Sequence, residues 1–421
     1  MKKIHLAYLV SRYPAISHTF ILREINTLNK LGIDIAVASV NAPDRDDAQL
    51  TDTEKTAKNS SFYIKKAGIV GALHAHTRAI TTRPIDYLKG LIFALRLDGS
   101  HLKRTLYNFF YFVEAVMVGE WMQAQQRDHL HVHFATESSN IGLILAHTYP
   151  ITYSLTVHGP DEFYGAKYFH LPEKIAAARF VCCISHFAKS QLMMQSPSEM
   201  WHKFERSPLG VDPAVFQPRP HPNNEVTELL CVGRIVPVKG QFVLVNAVRE
   251  LVQQGKKLHL TLVGDGVDKQ ALEQYVQQEK LTDFITFTGA VNQDHILGFY
   301  KKADIFILAS FAEGVPVVLM EAMIMEIPCI TTRITGIPEL IRAHEQEGIL
   351  VTPADQQELG EAITRLIDDP ALRQTMGEKG RQRVLEAYEL EKNTQGLANI
   401  FHQHLANEDT TTESEMECKT C

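Results

Sequence analysis

Residues 304–339 read DIFILASFAEGVPVVLMEAMIMEIPCITTRITGIPE, and this stretch decides the fold. DIFILAS has the length and apolar content of a buried strand, FAEGVP is a loop with a glycine and a proline, and VVLMEAMIM is an apolar helical run. A second strand, PCITT, and a second glycine-containing loop, RITGIPE, complete the unit. Parallel strands need a long crossover between them, so strand, loop, helix, strand is the signature of a parallel sheet.

The same alternation continues in both directions. HLAYLV, IDIAVASV, HVHFA, TYSLTVH and FVCCIS read as buried strands before it, and LLCVGRI, LHLTLVGDG and ITFTG join DIFILAS and PCITT in a second series. Helical patterns such as 242–253 and 269–279 fall between them. The expected class is therefore α/β: two Rossmann-like domains, each a parallel sheet with helices on both faces. Ligands of open parallel sheets lie beyond the carboxyl ends of the strands, so the expected site is a cleft across which the two domains face each other.

The expected limits are an N-terminal domain over 1–212, a linker over 213–227, a second domain over 228–385 and a C-terminal helix over 386–406. The linker belongs to a stretch, 207–227, rich in proline and lacking periodicity. The last residues, 407–421, are polar and acidic and read as a disordered tail. Cys418 and Cys421 have C-x-x-C spacing but no second ligand pair nearby, so zinc is not expected there.

Composition narrows the class further. The chain has 421 residues, 45% hydrophobic and 22% charged, which excludes a chain disordered as a whole and a disulfide scaffold. No run of apolar residues reaches membrane-spanning length, and the start reads as a first strand and not a signal peptide. A reduced, cytoplasmic protein is expected. Charge is uneven: residues 64–104 hold eight basic side chains against two acidic ones, interleaved with Ile69, Val70, Leu73, Leu91, Ile92, Phe93 and Leu95. Such a stretch suits peripheral contact with an anionic inner-leaflet membrane surface, and nothing points to nucleic acid.

The chemistry-bearing residues cluster at strand ends. In FAEGVPVV, Gly314 lets backbone approach a ligand, and Val317 and Val318 open a helix whose N–H groups and dipole favour an anion such as phosphate. Glu321, one turn inside, is placed to accept hydrogen bonds from a ribose diol, and Glu313 to meet a sugar ring. Arg234 and Lys239 in VGRIVPVKG offer a guanidinium fork and a point charge for a diphosphate. LVGDG, with Asp265 and Gly266, is read as tight packing and capping. In TYSLTVHGPDEF, His158 follows a strand and is placed to bond a sugar hydroxyl or a departing phosphate, with Asp161 just beyond. Ser17 and His18 in SRYPAISHTF, with His133 and Asp161, are read as loop residues lining the expected cleft. His131 and His133 share a strand face, but without a Cys or carboxylate cluster beside them no metal site is expected.

VGRIVPVKG, LVGDG, ADIFILASFAEGVPVVLMEAM, GIPELI, TVHGPDEF and SPLGVDPAVF together resemble the family-4 glycosyltransferases of the GT-B fold, over nearly the whole chain to about residue 405. SRYPAISHTFILREI is similar to a subgroup associated with colanic-acid-type exopolysaccharides. The resemblance implies a donor diphosphate held by Arg234, Lys239, Gly314, Val317 and Val318, and a ribose held by Glu321. It implies an acceptor-side first domain (1–212), a nucleotide-sugar-binding second domain (228–385) with the 386–406 helix crossing back onto the first, and Glu313 and His158 as catalytic residues at the transferred sugar. It further implies retention of configuration, no metal or other cofactor, and a nucleotide-sugar donor with a glycan or polyprenyl-diphosphate-linked acceptor, in exopolysaccharide or lipopolysaccharide synthesis. The chain departs from the family at Glu326, where a small residue is usual, and in the opening loop, which lacks paired glycines. The rival readings are an epimerase or hydrolase of nucleotide sugars and a non-catalytic nucleotide-sugar-binding protein.

Overall fold

The computed structural model describes residues 4–99, 101–219 and 225–406. The tail from residue 407, with Cys418 and Cys421, and part of the 213–227 linker lie outside the described residues. The chain divides into two compact units: one runs to Ser207 and resumes at Thr394, and the other is Pro208–Asn393.

The first unit holds β1 (His5–Arg12), β2 (Asp34–Asn41), β3 (Phe62–Tyr63), β4 (His129–His133), β5 (Thr152–Val157), β6 (Phe180–Cys183) and β7 (Phe204–Arg206). They form one sheet in the order β3-β2-β1-β4-β5-β6-β7, with every pairing parallel. The register sets Leu6 beside His129 and Leu9 beside Val132. Chain order reverses between β1 and β4, so the loops leaving those strands diverge and open a crevice at the sheet's carboxyl edge.

Both faces of this sheet are covered, which is why its strands read as nearly continuous apolar runs. On one face, Leu6, Tyr8 and Val10 pack with Ile21, Ile25 and Leu28 of the Thr19–Lys30 helix. On the other, Leu9, Leu130 and Val132 pack with Phe112 and Val116 of the Leu102–Ala124 helix. That helix combines two roles: Phe112 and Val116 are fully buried, while Phe109 and Phe110 are exposed. Leu397, Ala398 and Phe401 of the Leu390–Leu405 helix join the Tyr8 side of the core. Phe401 is fully buried there, and truncating such a side chain typically costs about 3–5 kcal/mol.

The second unit holds β8 (Thr227–Val232), β9 (Leu258–Val263), β10 (Ile285–Gly289), β11 (Ile305–Leu308), β12 (Cys329–Thr332) and β13 (Ile349–Val351). Their order is β10-β9-β8-β11-β12-β13, again all parallel. Leu229, Leu260, Leu262, Ile305, Ile307 and Ile330 form its centre. The reversal falls between β8 and β11, the two strands that carry Arg234 and Glu313 beyond their ends.

The unit limits differ from those expected at 212 and 386. Val211 N–H donates to Tyr388 O at 2.9 Å, and Leu390 N–H donates to Val211 O at 3.0 Å. A Cβ on Gly210 would lie 2.7 Å from Leu390 Cα. Residues 208–211 are therefore bonded into the second unit. The same pairing interrupts the expected 386–406 helix, dividing that region between the helices Pro370–Ala387 and Leu390–Leu405.

Candidate functional site

In the second unit, the loops after β8 and β11 are brought together by close backbone approaches. Gly240 has φ +63°, and a Cβ there would stand 2.2 Å from Ala309 O. Only glycine accepts both the left-handed backbone and that distance. Phe311 N–H donates to Val238 O at 2.7 Å, tying the two loops. Gly336 would likewise place a Cβ 2.5 Å from Gly314 O, so the RITGIPE loop backs directly onto EGVP. Gly264 and Gly266 press against Gly233 O and Ile235 O, and Gly266 N–H donates to Asp265 Oδ1 at 2.7 Å. LVGDG thus serves as support for the β8 loop.

On this frame the charged residues converge. Lys239 Nζ lies 2.5 Å from Glu313 Oε1, and Ser310 Oγ donates to the same oxygen at 2.7 Å. The Thr335 hydroxyl donates to Glu313 O, holding the backbone as well as the carboxylate. Glu313 is buried, and Lys239 supplies the opposite charge that makes this burial tolerable. Arg234 beside them is exposed, with its carbonyl accepting from Gln241 Nε2 at 2.8 Å.

The Val317–Ile324 helix begins directly after Glu313-Gly314-Val315, with Pro316 as its extended N-cap. Val317 and Val318 are half-buried, and N–H groups of a first turn have no intrahelical acceptor. Glu321 lies one turn inside and is buried, with Tyr300 OH donating to its Oε2 at 3.0 Å. Five of the residues read from the sequence, Arg234, Lys239, Glu313, Gly314 and Glu321, therefore occupy one strand-end region together with the Val317 and Val318 amides. A fixed cation, an exposed guanidinium and a helix start can hold a diphosphate.

In the first unit, the loops after β1, β4 and β5 make a second strand-end cluster. His158 follows β5 and is 7% exposed. Its ring lies 4.4 Å from Phe134 and 5.1 Å from Phe20 by ring centroids, and His18 lies 4.9 Å from Phe134. His158 Nε2 is 3.0 Å from His133 Nδ1. Burial, aided by the neighbouring imidazoles of His133 and His18, holds the His158 pKa well below the ordinary value.

His133 corrects an expectation. It is not on a cleft loop: it ends β4 and is fully buried, because Tyr8, Phe180 and Phe401 cover the face it shares with His129 and His131. His131 has both ring nitrogens at hydroxyls, Nδ1 2.7 Å from Ser154 Oγ and Nε2 2.8 Å from Thr156 Oγ1. His129 is bonded the same way to Thr152 and Ser154, and burial pushes its pKa down to about 3. Ser17 and Asp161 are both exposed.

Two groups that shape this cluster escaped the sequence reading. Glu162 accepts backbone N–H bonds from Ala135, His158 and Gly159, stapling the ends of β4 and β5. Burial raises its pKa to about 7 against the pull of those bonds. Glu24 accepts from Tyr8 OH at 3.0 Å. Its signal was a carboxylate on the apolar face of the Thr19–Lys30 helix, among Ile21, Ile25 and Leu28. Glu162 was visible in HGPDEF as an acid at the third position of a short helix.

Residues 216–383, all within the second unit, match the family model described as glycosyl transferases group 1. TuaC of Bacillus subtilis (strain 168), named for glycosyl transfer in teichuronic acid biosynthesis, is 27% identical over 294 residues, 66% of this chain and 70% of TuaC. WcaL of Escherichia coli (strain K12), named for glycosyl transfer in colanic acid biosynthesis, is 25% identical over 375 residues, 85% of this chain and 89% of WcaL. Among solved structures, Anabaena Alr3699/HepE in complex with UDP-glucose superposes with a TM-score of 0.69 at 15% identity, over 95% of this chain and all of that one. Residues 216–383 of the second unit thus resemble a glycosyl transferases group 1 domain, and the two parallel α/β sheets have the fold of the GT-B kind.

Proposed function

We propose that the protein moves a sugar from a nucleoside-diphosphate sugar to a hydroxyl of a glycan or polyprenyl-diphosphate-linked acceptor. Transfer proceeds with retention of configuration and without a divalent metal, in synthesis of an exopolysaccharide or related surface glycan. The observation that carries this reading is the Lys239, Glu313 and Ser310 cluster beside the Val317 helix start, inside the matched family region. The bound UDP-glucose of the similar HepE structure supports a uridine nucleotide as the first donor to try.

In this reading Arg234, Lys239 and the Val317 and Val318 amides hold the diphosphate. As the sugar–phosphate bond breaks, its electron pair goes to the departing oxygen, whose charge these donors stabilise. The departing phosphate takes the acceptor's proton on the same face, so the new bond replaces the old with retained configuration. Glu321 binds the ribose, and Glu313 and His158 hold the transferred sugar. Ser17 and Asp161, exposed near the first-unit cluster, are offered to the acceptor.

The acceptor's lipid suggests where transfer occurs. Ile69, Val70 and Leu102 are 80%, 79% and 86% exposed, beside the exposed cations Lys66, Arg96 and Lys103. No helix among the described residues is long and apolar enough to cross a membrane. Peripheral docking on the anionic inner leaflet fits these features. Flotation with anionic vesicles that is lost on Lys66→Glu with Lys103→Glu supports it, and flotation indifferent to charge overturns it.

The activity is tested by a donor screen in chelator, reading free nucleoside diphosphate with and without lipid-linked acceptor extract. Release requiring one donor and extract supports metal-independent transfer. Equal release without acceptor indicates a hydrolase, loss of donor without diphosphate indicates an epimerase, and binding without turnover to any acceptor indicates a binding protein.

A further inference from the structure

We propose that Glu24 and His133 form a relay that fixes the tautomer of His158, so that His158 presents Nδ1 as a bare hydrogen-bond acceptor. Glu24 and His133 are positioning residues in this arrangement. The inference rests on the reading of His158 as a ligand-facing group, but its geometry stands apart from the identity of the ligand.

The contacts run in one line from the helix to the strand end. Tyr8 OH donates to Glu24 Oε1 at 3.0 Å. The same oxygen lies 3.2 Å from His133 Nε2, near enough for its charge to act on the ring although no hydrogen bond joins them. His133 Nδ1 lies 3.0 Å from His158 Nε2. All three side chains are buried: Glu24 is 8% exposed, His133 0% and His158 7%.

One proton must sit between His133 Nδ1 and His158 Nε2, and there are two neutral ways to place it. With the proton on His133 Nδ1, the lone pair of His133 Nε2 points at the Glu24 carboxylate, an unfavourable approach in a buried place. With the proton on His158 Nε2, His133 carries its own proton on Nε2, toward Glu24, and the approach becomes attractive. The carboxylate decides for the second, since a charge acts strongly where water is excluded. His158 is left with Nδ1 unprotonated, and that atom is buried with no hydrogen-bond partner among the described residues.

A buried acceptor without a donor is costly, typically about 1–3 kcal/mol, so a ligand that supplies a hydrogen is favoured there. The chemistry selects between two partners the sequence left open. A sugar hydroxyl brings its own hydrogen to Nδ1, whereas an ionised phosphate oxygen brings only lone pairs. His158 therefore meets a hydroxyl, and the relay enforces the preference. Glu162, which holds the His158 backbone through its N–H, fixes where the ring sits and leaves the ring protons to Glu24 and His133.

The test is long-range proton–nitrogen NMR of the full-length protein labelled at histidine, with His158 assigned through His158→Asn. The expected wild-type spectrum shows His158 neutral, protonated at Nε2 and bare at Nδ1. Glu24→Gln keeps the side-chain shape and removes the charge, so the Nδ1–H tautomer should then appear. His133→Phe, which removes the bridge, should give a mixture. Turnover in both variants should fall roughly tenfold or more, as for other residues that set a histidine tautomer, with affinity for UDP unchanged. An Nδ1–H His158 in the wild type overturns the relay. So does a His158 spectrum unchanged in both variants. If wild-type protein turns over no nucleotide sugar, the proposed activity fails while the spectra still decide the relay.

Discussion

The two strand-end clusters sit at equivalent places in equivalent sheets, each where chain order reverses, yet they hold polar groups in opposite ways. The second unit keeps full charges, Lys239 against Glu313, at the end of glycine-cradled loops. The first keeps its imidazoles neutral and buried, His129, His131 and His158 all pushed down by loss of water. The difference teaches what each cluster can be asked to do. Fixed charges neutralise a multiply charged leaving group, whereas a neutral imidazole directs hydrogen bonds without adding charge beside it.

The sharpest way to break this comparison is to remove the charges. Lys239→Ala or Glu313→Ala should lower transfer by about 10²–10³-fold in protein that still folds, with a lowered melting temperature because the remaining charge is left buried and unpaired. Initial rates and a thermal melt measure both, and near-normal turnover in either folded variant would count against the charged cluster as the chemical centre.

Acid should separate the units next. A buried imidazole with a lowered pKa binds fewer protons folded than unfolded, so stability is complete above about pH 6.5 and falls as pH drops below it. For His129 the fall continues to about pH 3. Glu162, raised to about 7, acts the other way as pH falls from there to its ordinary carboxylate range, but one carboxyl offsets only one of the three imidazoles, so the net loss emerges below about pH 6.5. On the order of a few kcal/mol should be lost, read as faster amide exchange in β4 and β5 than in β8 and β11. Equal acceleration in both sheets would remove the contrast.

Backbone geometry gives a smaller effect. Gly240→Ala meets both a left-handed φ and the Ala309 carbonyl, and should cost the second unit about 1–3 kcal/mol in denaturant unfolding. The smallest effect is expected at the surface, where Lys256 Nζ lies 2.7 Å from Asp368 Oδ1. Lys256→Ala should change stability by about 0–1 kcal/mol and vanish at high salt. A large effect there would mean that exposed charge contributes to stability on the scale argued only for buried sites.

Several features were legible because they are local. Parallel strands reveal themselves as apolar runs, and VGRIVPVKG and FAEGVPVV show glycines, cations and a helix start within a few residues of one another. The packing expected of LVGDG is met by Gly264 and Gly266 against the β8 loop, whereas the expected capping is not, since Asp268 and not Asp265 stands at the N-cap of the next helix. His133 was misplaced because alternation alone put it on a strand face without saying that the face was covered. In the structure, Tyr8, Phe180 and Phe401 close over that histidine row, and Phe401 comes from a helix more than two hundred residues later in the sequence.

The sequence by itself determined the two parallel sheets, the order of their strands' motifs and the residue types at the strand ends, because each follows from neighbours along the chain. Only the tertiary structure decided that Glu24 from the Thr19–Lys30 helix reaches His133, that Glu162 staples two strand ends, and that Lys239 pairs with Glu313. Those contacts join residues separated by 109, 27 and 74 positions. They are set by which faces are buried together, and burial is what gives a single proton or charge there its consequence.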